Sequence, residues 1–224
     1  MHPILETLVQ RYPDVSDCIK EIQQAITILE ATFRAGGKLL ICGNGGSASD
    51  CEHIAGELMK SFRRPRALPE EIRHAFVEAF SADGIYLADH LQGALPAIPL
   101  GSHIALTTAI ANDVAAEMIF AQQVYGYGNP RDALLGISTS GNARNVIRAL
   151  QVGRVMGIRC IGLTGASGGA FPELCDITIC VPAATVADVQ ERHLPIYHAI
   201  CSVLEETFFG IHIVEERYAL VRIS

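Results

Sequence analysis

Two groups of side chains able to bind a metal or move a proton stand out along the 224-residue chain. His53 and Glu57, in "SASDCEHIAGELM", are four apart, so on a helix they share a face. An imidazole and a carboxylate so placed make half of a metal site, and a glutamate there can also act as a general base. The second group is Gln190, His193 and His198 in "DVQERHLPIYHAICSVLEE". Gln190 and His198 are eight apart, about 12 Å along a straight helix. One ion is stretched across that rise. Either Pro195 kinks the helix near Glu191 and brings the two together, or they meet groups of a second subunit. His193 is expected to pack or to cap.

Three stretches rich in glycine and hydroxyls could hold an anion: Gly43-Asn44-Gly45-Gly46-Ser47, Ser138-Thr139-Ser140-Gly141-Asn142, and Thr164-Gly165-Ala166-Ser167-Gly168-Gly169. The first two lead from an apolar strand into a helix, where free N–H groups and the helix dipole favour phosphate. Glycines let the backbone approach a ligand, and hydroxyls add neutral donors. Any one junction could be mere capping and turning. Three opening at the same edge of one sheet favour the anion. None is a Walker loop or a Gly-x-Gly-x-x-Gly turn, so a phosphorylated metabolite is expected rather than a nucleotide.

The elements that must position these groups follow from periodicity. Apolar residues Ile19, Ile22, Ile26, Leu29 and Phe33 predict a helix over Ser16 to Phe33, stopped by Gly36 and Gly37, with a shorter helix before Pro13. Residues 1–37 are thus N-terminal helices. Apolar runs at Leu39 to Cys42, Ala97 to Leu100, Ala133 to Ile137, Cys160 to Leu163 and Ile177 to Val181 predict five strands. Between them lie helical stretches such as Asn142 to Met156. Strands that are apolar throughout and separated by helices predict a doubly wound parallel α/β sheet, whose ligands bind at the carboxyl ends of the strands. Residues 69–93 read as two short helices that interrupt the alternation, an insertion.

Composition narrows the function. The net charge of −7, with both signs interspersed, argues against a nucleic-acid binder. The basic knot "RRPR" at Arg63 to Arg66 reads as a solvated helix end. No apolar run reaches the ~18 residues of a membrane span, and the opening stretch has no signal-peptide pattern. Seven cysteines, an odd count with no Cys-x-x-Cys pair, suit a reducing compartment, so a cytoplasmic location is expected.

The segments "CGNGGSASDCEHIAGEL", "AIAND", "LLGISTSGNARNVIRAL", "LTGASGG" and "ADVQERHLPIYH", in this order, resemble the sugar isomerase (SIS) domain family, and within it the phosphoheptose isomerases. The resemblance implies one SIS domain over residues 1–224, a flavodoxin-like three-layer sandwich with a five-stranded sheet. It implies interconversion of D-sedoheptulose 7-phosphate and D-glycero-D-manno-heptose 7-phosphate through an enediol, the first step toward activated heptose. It implies one zinc per subunit on His53, Glu57, Gln190 and His198. Substrate contacts would come from Asn44, Gly45, Gly46, Ser47, Glu57, Asn112, Asp113, Ser138, Thr139, Ser140, Asp188 and Gln190. Glu57 would be the catalytic base and His198 the acid. Family members are homotetramers with active sites between subunits, and the last helix offers Ile196, Ile200, Val203 and Leu204 for packing on a partner.

Two departures bear on the substrate. The family's "STSGNS" reads "STSGNA" here, so Ala143 lacks a hydroxyl, and residues 69–93 lengthen a link that is short in the family. The insertion could cover the active site or extend a subunit contact. Another phosphosugar is the nearest alternative. A non-catalytic SIS regulator that binds a replication initiator is a further one, but such relatives lack the Glu57/His198 pair.

Overall fold

All four residues of β1 (Leu39–Cys42) and all five of β3 (Ala133–Ile137) are buried, as strands covered on both faces must be. The computed structural model describes residues 1–210, so 211–224, and with them the end of the expected single domain, lie outside the described residues. β2 (Ala97–Pro99), β4 (Arg159–Thr164) and β5 (Ile177–Cys180) complete an all-parallel sheet in the order β2-β1-β3-β4-β5. This is the flavodoxin-type order of a doubly wound sheet. The register pairs Leu39 with Ala97 on one side and with Ala133 on the other. At the strand starts, Asp132 accepts from the Lys38 N–H at 2.9 Å and from Lys38 Nζ at 2.7 Å.

Side chains alternate between two apolar layers. Leu39 and Ile41 face α2 (Ile19–Arg34), α3 (Gly46–Met59) and α10 (Val186–Phe209), packing with Ile22, Ile54 and Leu204. Leu40 and Cys42 face α7 (Ile119–Tyr127) and α8 (Arg144–Val155), packing with Phe120, Val146 and Leu150. Burying each such side chain contributes about 1.5–3 kcal/mol. Among the described residues all seven cysteines are free. Burial pushes the thiols of Cys160, Cys175 and Cys201 up to about 12, so they pack as inert apolar groups.

Several expectations need correction. The N-terminal part of the expected Ser16–Phe33 helix is a 3-10 turn, Pro13–Cys18, that opens on a proline, and α2 starts only at Ile19. α1 (Pro3–Arg11) is the shorter helix before it. α10 runs as one helix across Pro195. Ile196, Ile200, Val203 and Leu204 are buried against the sheet of their own chain, 8% exposed at most, and so are not free for a partner. The insertion does form two helices, α4 (Glu70–Phe80) and α5 (Ala82–His90). They pack on each other, with Arg73 donating to the Ala88 carbonyl at 2.7 Å, and α4 buries no residue.

His193 has the expected packed role. It is fully buried on α10, and neither ring nitrogen has a hydrogen-bond partner. Burial drives its pKa from 6.5 down to about 4; the Thr164 backbone beside the ring opposes this but lies outside normal hydrogen-bond limits. The fold therefore holds the neutral ring, while the unfolded chain protonates it below about 6.5. The resulting stability is complete above pH 6.5 and falls as pH drops toward 4, by about 3 kcal/mol in all. Denaturant melts between pH 7 and pH 4 should show this loss, and a His193→Leu variant should lack that part of it.

Candidate active site

In this strand order the chain turns back between β1 and β3, and ligands of doubly wound sheets bind at that switch point. The loops Asn44–Ser47 and Ser138–Ser140 flank it, because they leave the carboxyl ends of those two strands. Their side chains lock them together. Asn44 Nδ2 donates to Asn145 Oδ1 at 2.9 Å, and Asn145 Nδ2 returns a bond at 2.8 Å. The third junction joins through Gly165 N–H, which donates to the Thr139 carbonyl at 3.1 Å. Gly141, at φ +66°, passes so close to Gly168 that a Cβ would lie 2.2 Å from its carbonyl oxygen. The three hydroxyl-rich junctions are one surface.

Two helices begin at that surface without side-chain caps. α3 opens at Gly46 after Gly45, and α8 opens at Arg144 after Ala143. Ser47 and Ala48 N–H bond back to the Asn44 and Gly45 carbonyls and Val146 N–H to Asn145 Oδ1, so the Gly46, Arg144 and Asn145 N–H groups are the ones left for solvent or a ligand. Ser47 and Ser138 are buried beside them, and Ser138 Oγ lies 3.5 Å from Ser140 Oγ. Gln190 belongs to this end of the site: a Cβ on Gly46 would lie 2.4 Å from its Nε2. Asp188 sits in the first turn of α10, where its carboxylate accepts from Thr185 Oγ1 at 2.6 Å. Asn112 and Asp113 end α6 (Ile104–Asp113), exposed, with Asn112 Nδ2 donating to Asp113 Oδ1 at 2.8 Å.

The titratable cluster lies further along α3, where α10 runs beside it. His53 Nε2 is 3.2 Å from Glu57 Oε1 and 3.4 Å from His198 Nε2. The rings of His53 and His198 meet edge to face, with centroids 4.9 Å apart. Glu57 Oε2 is buried with no hydrogen-bond partner, and Lys60 Nζ comes only to 3.6 Å. Burial, with His53 as a second cause, lowers the pKa of His198 against the opposing pull of Glu57, so its ring is neutral near pH 7. The structure thus joins His53, Glu57 and His198 but leaves Gln190 at the anion loops. Gln190 and His198 are eight residues, about two turns, apart on α10. Among the described residues, no three or more His, Cys, Asp and Glu side chains form a ready metal cage.

Asp50 and Tyr197 are functional neighbours that the sequence reading missed. Tyr197 OH lies 3.2 Å from Asp50 Oδ1 and 3.0 Å from His53 Nδ1. A carboxylate only accepts, so the phenol donates to Asp50 and takes the proton of His53 Nδ1. With Nδ1 so engaged, the His53 ring is fixed with Nε2 facing Glu57 and His198. Burial raises the pKa of Asp50, with the Tyr197 bond and His53 opposing. Asp50 falls one turn before His53, a spacing that could have signalled it. The expected solvated "RRPR" is corrected at its last residue: Arg63, Arg64 and Pro65 are exposed, but the Arg66 side chain is 0% exposed in an ion pair with Glu205.

A parallel sheet of this order, with hydroxyl-rich loops at its switch point and a carboxylate–imidazole cluster on the helix that follows, defines an α/β protein built to hold a small anionic metabolite. The chain belongs to the SIS domain family, which it matches over residues 13–79 and 73–165. It is 35% identical to a phosphoheptose isomerase of Rhodospirillum rubrum over 90% of this chain and 93% of that one. It is 42% identical to one from Roseiflexus sp. over 80% and 77%. The solved phosphoheptose isomerase of Francisella tularensis superposes with a TM-score of 0.72 at 30% identity, covering 90% and 94% of the two chains. That of Neisseria gonorrhoeae gives 0.70 at 28% over the same shares.

Ala143 precedes α8 with no side chain to cap it. Ala143→Ser should stabilise the fold by about 1 kcal/mol and tighten inorganic phosphate binding, since the new hydroxyl can serve either the helix end or the anion. Thermal melts with and without phosphate measure both.

Proposed function

We propose that this chain isomerises sedoheptulose 7-phosphate to D-glycero-D-manno-heptose 7-phosphate. The observation that carries the reading is the Glu57 carboxylate, with one oxygen beside His53 and the other buried, free of hydrogen bonds and 3.6 Å from Lys60 Nζ. A desolvated carboxylate oxygen that no hydrogen bond holds is available to a proton on carbon. Aldose–ketose conversion needs one base to take a proton from one carbon and return it to its neighbour. Glu57 can do both if the phosphate is fixed, and Ser138, Thr139 and Ser140 beside Asn44–Ser47 offer that grip. His198, neutral at physiological pH, donates to and accepts from the substrate oxygens as the enediol forms. Relatives named phosphoheptose isomerase across most of the chain support the substrate. Ala143, which removes one hydroxyl near the anion loops, favours as a second reading another phosphosugar with the same chemistry.

The donor set suits zinc. His53 Nε2 and Glu57 Oε1 lie 3.2 Å apart, an arrangement that wants a proton or a cation between them. Two donors on one tetrahedral zinc lie about 3.3 Å apart, given bonds of roughly 2.0–2.1 Å. His53, Glu57 and His198 would hold the ion, one per chain, with Gln190 as a fourth donor only if it leaves Gly46. When bound, the metal would polarise the substrate carbonyl and stabilise negative charge on the enediolate oxygen.

Assembly supplies what the single chain lacks. α6, "IALTTAIAND", buries only Ile110 and leaves Ile104 75% exposed, with Val114 just beyond it at 72%. An apolar helix left bare, with Asn112 and Asp113 at its end, suits a homotetramer in which a neighbour covers it and the site is shared. A cytoplasmic location fits the free, inert thiols, and among the described residues no helix is long and apolar enough to cross a membrane.

Glu57→Gln should lower turnover of sedoheptulose 7-phosphate by about 10²-fold or more while leaving circular dichroism unchanged. Near-normal turnover would remove Glu57 as the base. Ser138→Ala/Ser140→Ala should weaken binding by about 1 kcal/mol for each bond lost; unchanged affinity would place the phosphate elsewhere. Elemental analysis with light scattering should find a tetramer with one zinc per chain, and His53→Ala should lose metal without unfolding. Zinc should also leave as pH drops below about 6.5, because only neutral imidazole binds it. A metal-free monomer that still turns over would defeat this part.

A further inference from the structure

We propose that Arg66, held by Glu205, is a positioning residue for Glu57, so that the proton-transferring carboxylate is set by a buried ion pair behind it. The proposal rests on the reading of Glu57 as the base. Arg66 Nη2 donates to the Glu57 carbonyl at 2.8 Å, and Nη1 donates to the Leu58 carbonyl at 2.7 Å. Nε donates to Glu205 Oε1 at 2.9 Å. The Arg66 and Glu205 side chains are 0% and 1% exposed, and the guanidinium lies 4.7 Å from the centre of the Phe209 ring.

A helix end leaves carbonyls without partners. Most helices satisfy them with a left-handed glycine or with water. α3 has no left-handed glycine: its C-cap is Lys60 in extended backbone, and the Glu57 and Leu58 carbonyls of its last turn are taken by a buried cation. Such burial is costly and is seldom repaid in stability. What a guanidinium adds is geometry. Its planar fork binds two successive carbonyls and an acid at once, which fixes the tilt and rotation of the turn it touches. One of those carbonyls is that of Glu57 itself, so the clamp acts on the backbone from which the reacting carboxylate hangs.

Glu205 extends the grip. Oε1 also accepts from the Phe62 N–H, and Oε2 from the Arg63 N–H, both at 2.9 Å. The Phe62 ring in turn lies tilted against His198, with centroids 5.4 Å apart. One buried pair therefore places the base and braces the ring beside the acid. It also receives the chain as it returns from α5, because Gly93 N–H donates to the Arg66 carbonyl and Leu95 N–H to that of Leu58, at 2.8 and 2.9 Å.

The test separates positioning from plain stability. Arg66→Lys keeps the charge but cannot span two carbonyls and the acid. It should lower kcat about tenfold or more, with KM for sedoheptulose 7-phosphate changed less than about twofold, because the phosphate grip lies at the other end of α3. Hydrogen exchange should quicken in the last turn of α3 and in residues 60–63. Arg66→Met/Glu205→Gln removes both buried charges; it should recover much of the wild-type melting temperature while kcat stays low. Wild-type kcat and exchange in Arg66→Lys would overturn the proposal, as would a double variant whose kcat returns together with its stability. If the double variant does not fold, Arg66→Lys decides alone. If the wild type does not isomerise the heptose, the proposed function fails, and the exchange data still decide whether the clamp sets the turn that carries Glu57.

Discussion

The chemistry of this chain depends on α3 and α10 lying side by side and running in the same direction. Gly46 meets Gln190, His53 meets Tyr197 and His198, and Phe62 meets Glu205, so each contact joins residues about the same distance apart in sequence. Both helices rise by the same amount per residue, so one contact sets the next. The absence of a Cβ on Gly46 lets Gln190 close in at the end near the strands. The Arg66–Glu205 pair closes the far end. Between these two fixed points the imidazoles and the carboxylate have little freedom, although no bond in the cluster is itself strong.

The cluster is also tuned to keep the His198 imidazole neutral. Burial lowers its pKa, and His53 beside it acts in the same direction. Tyr197 joins Asp50 to the far nitrogen of His53 and so fixes the ring with Nε2 toward Glu57. Only a neutral imidazole can bind a metal or exchange a proton in both directions. His193, buried five residues earlier on α10, obeys the same rule for a different reason. It is neutral because the core excludes charge, and it supports the fold rather than the reaction.

The sheet could be read from the sequence because its strands are short, wholly apolar and separated by helices, a pattern that few other arrangements satisfy. The strand runs were placed to within a residue or two, and the two helices of the insertion were seen. The anion loops were legible for a similar reason: glycine and hydroxyls at a strand-to-helix junction are local signals. What failed was long-range. Nothing near Arg66 in sequence announces Glu205, 139 positions away, so a fully buried cation read as a solvated one. The apolar face of α10 was legible as a face, but a face does not say whether a sheet or a partner covers it. Pro195 lies inside a helix that continues past it. The spacing of Gln190 and His198 left open whether a bend or a second subunit bridges them, and Gln190 lies beside Gly46.

That mistaken face sharpens the question of assembly. Once α10 is spent on its own sheet, the bare apolar surface left among the described residues lies elsewhere, chiefly on α6 and on the hairpin of α4 and α5, where Phe80, Ile85 and Tyr86 are more than half exposed. These two surfaces differ in kind. α6 is made largely of small and β-branched residues, which allow close approach of another helix, and it ends in the Asn112–Asp113 pair expected to touch the substrate. The hairpin is held to the body where Gly93 and Leu95 return to Arg66 and Leu58, directly behind Glu57. A shared site would therefore use α6 to bring polar groups to a neighbour. The hairpin, tied to the turn that carries Glu57, would feel any contact made upon it.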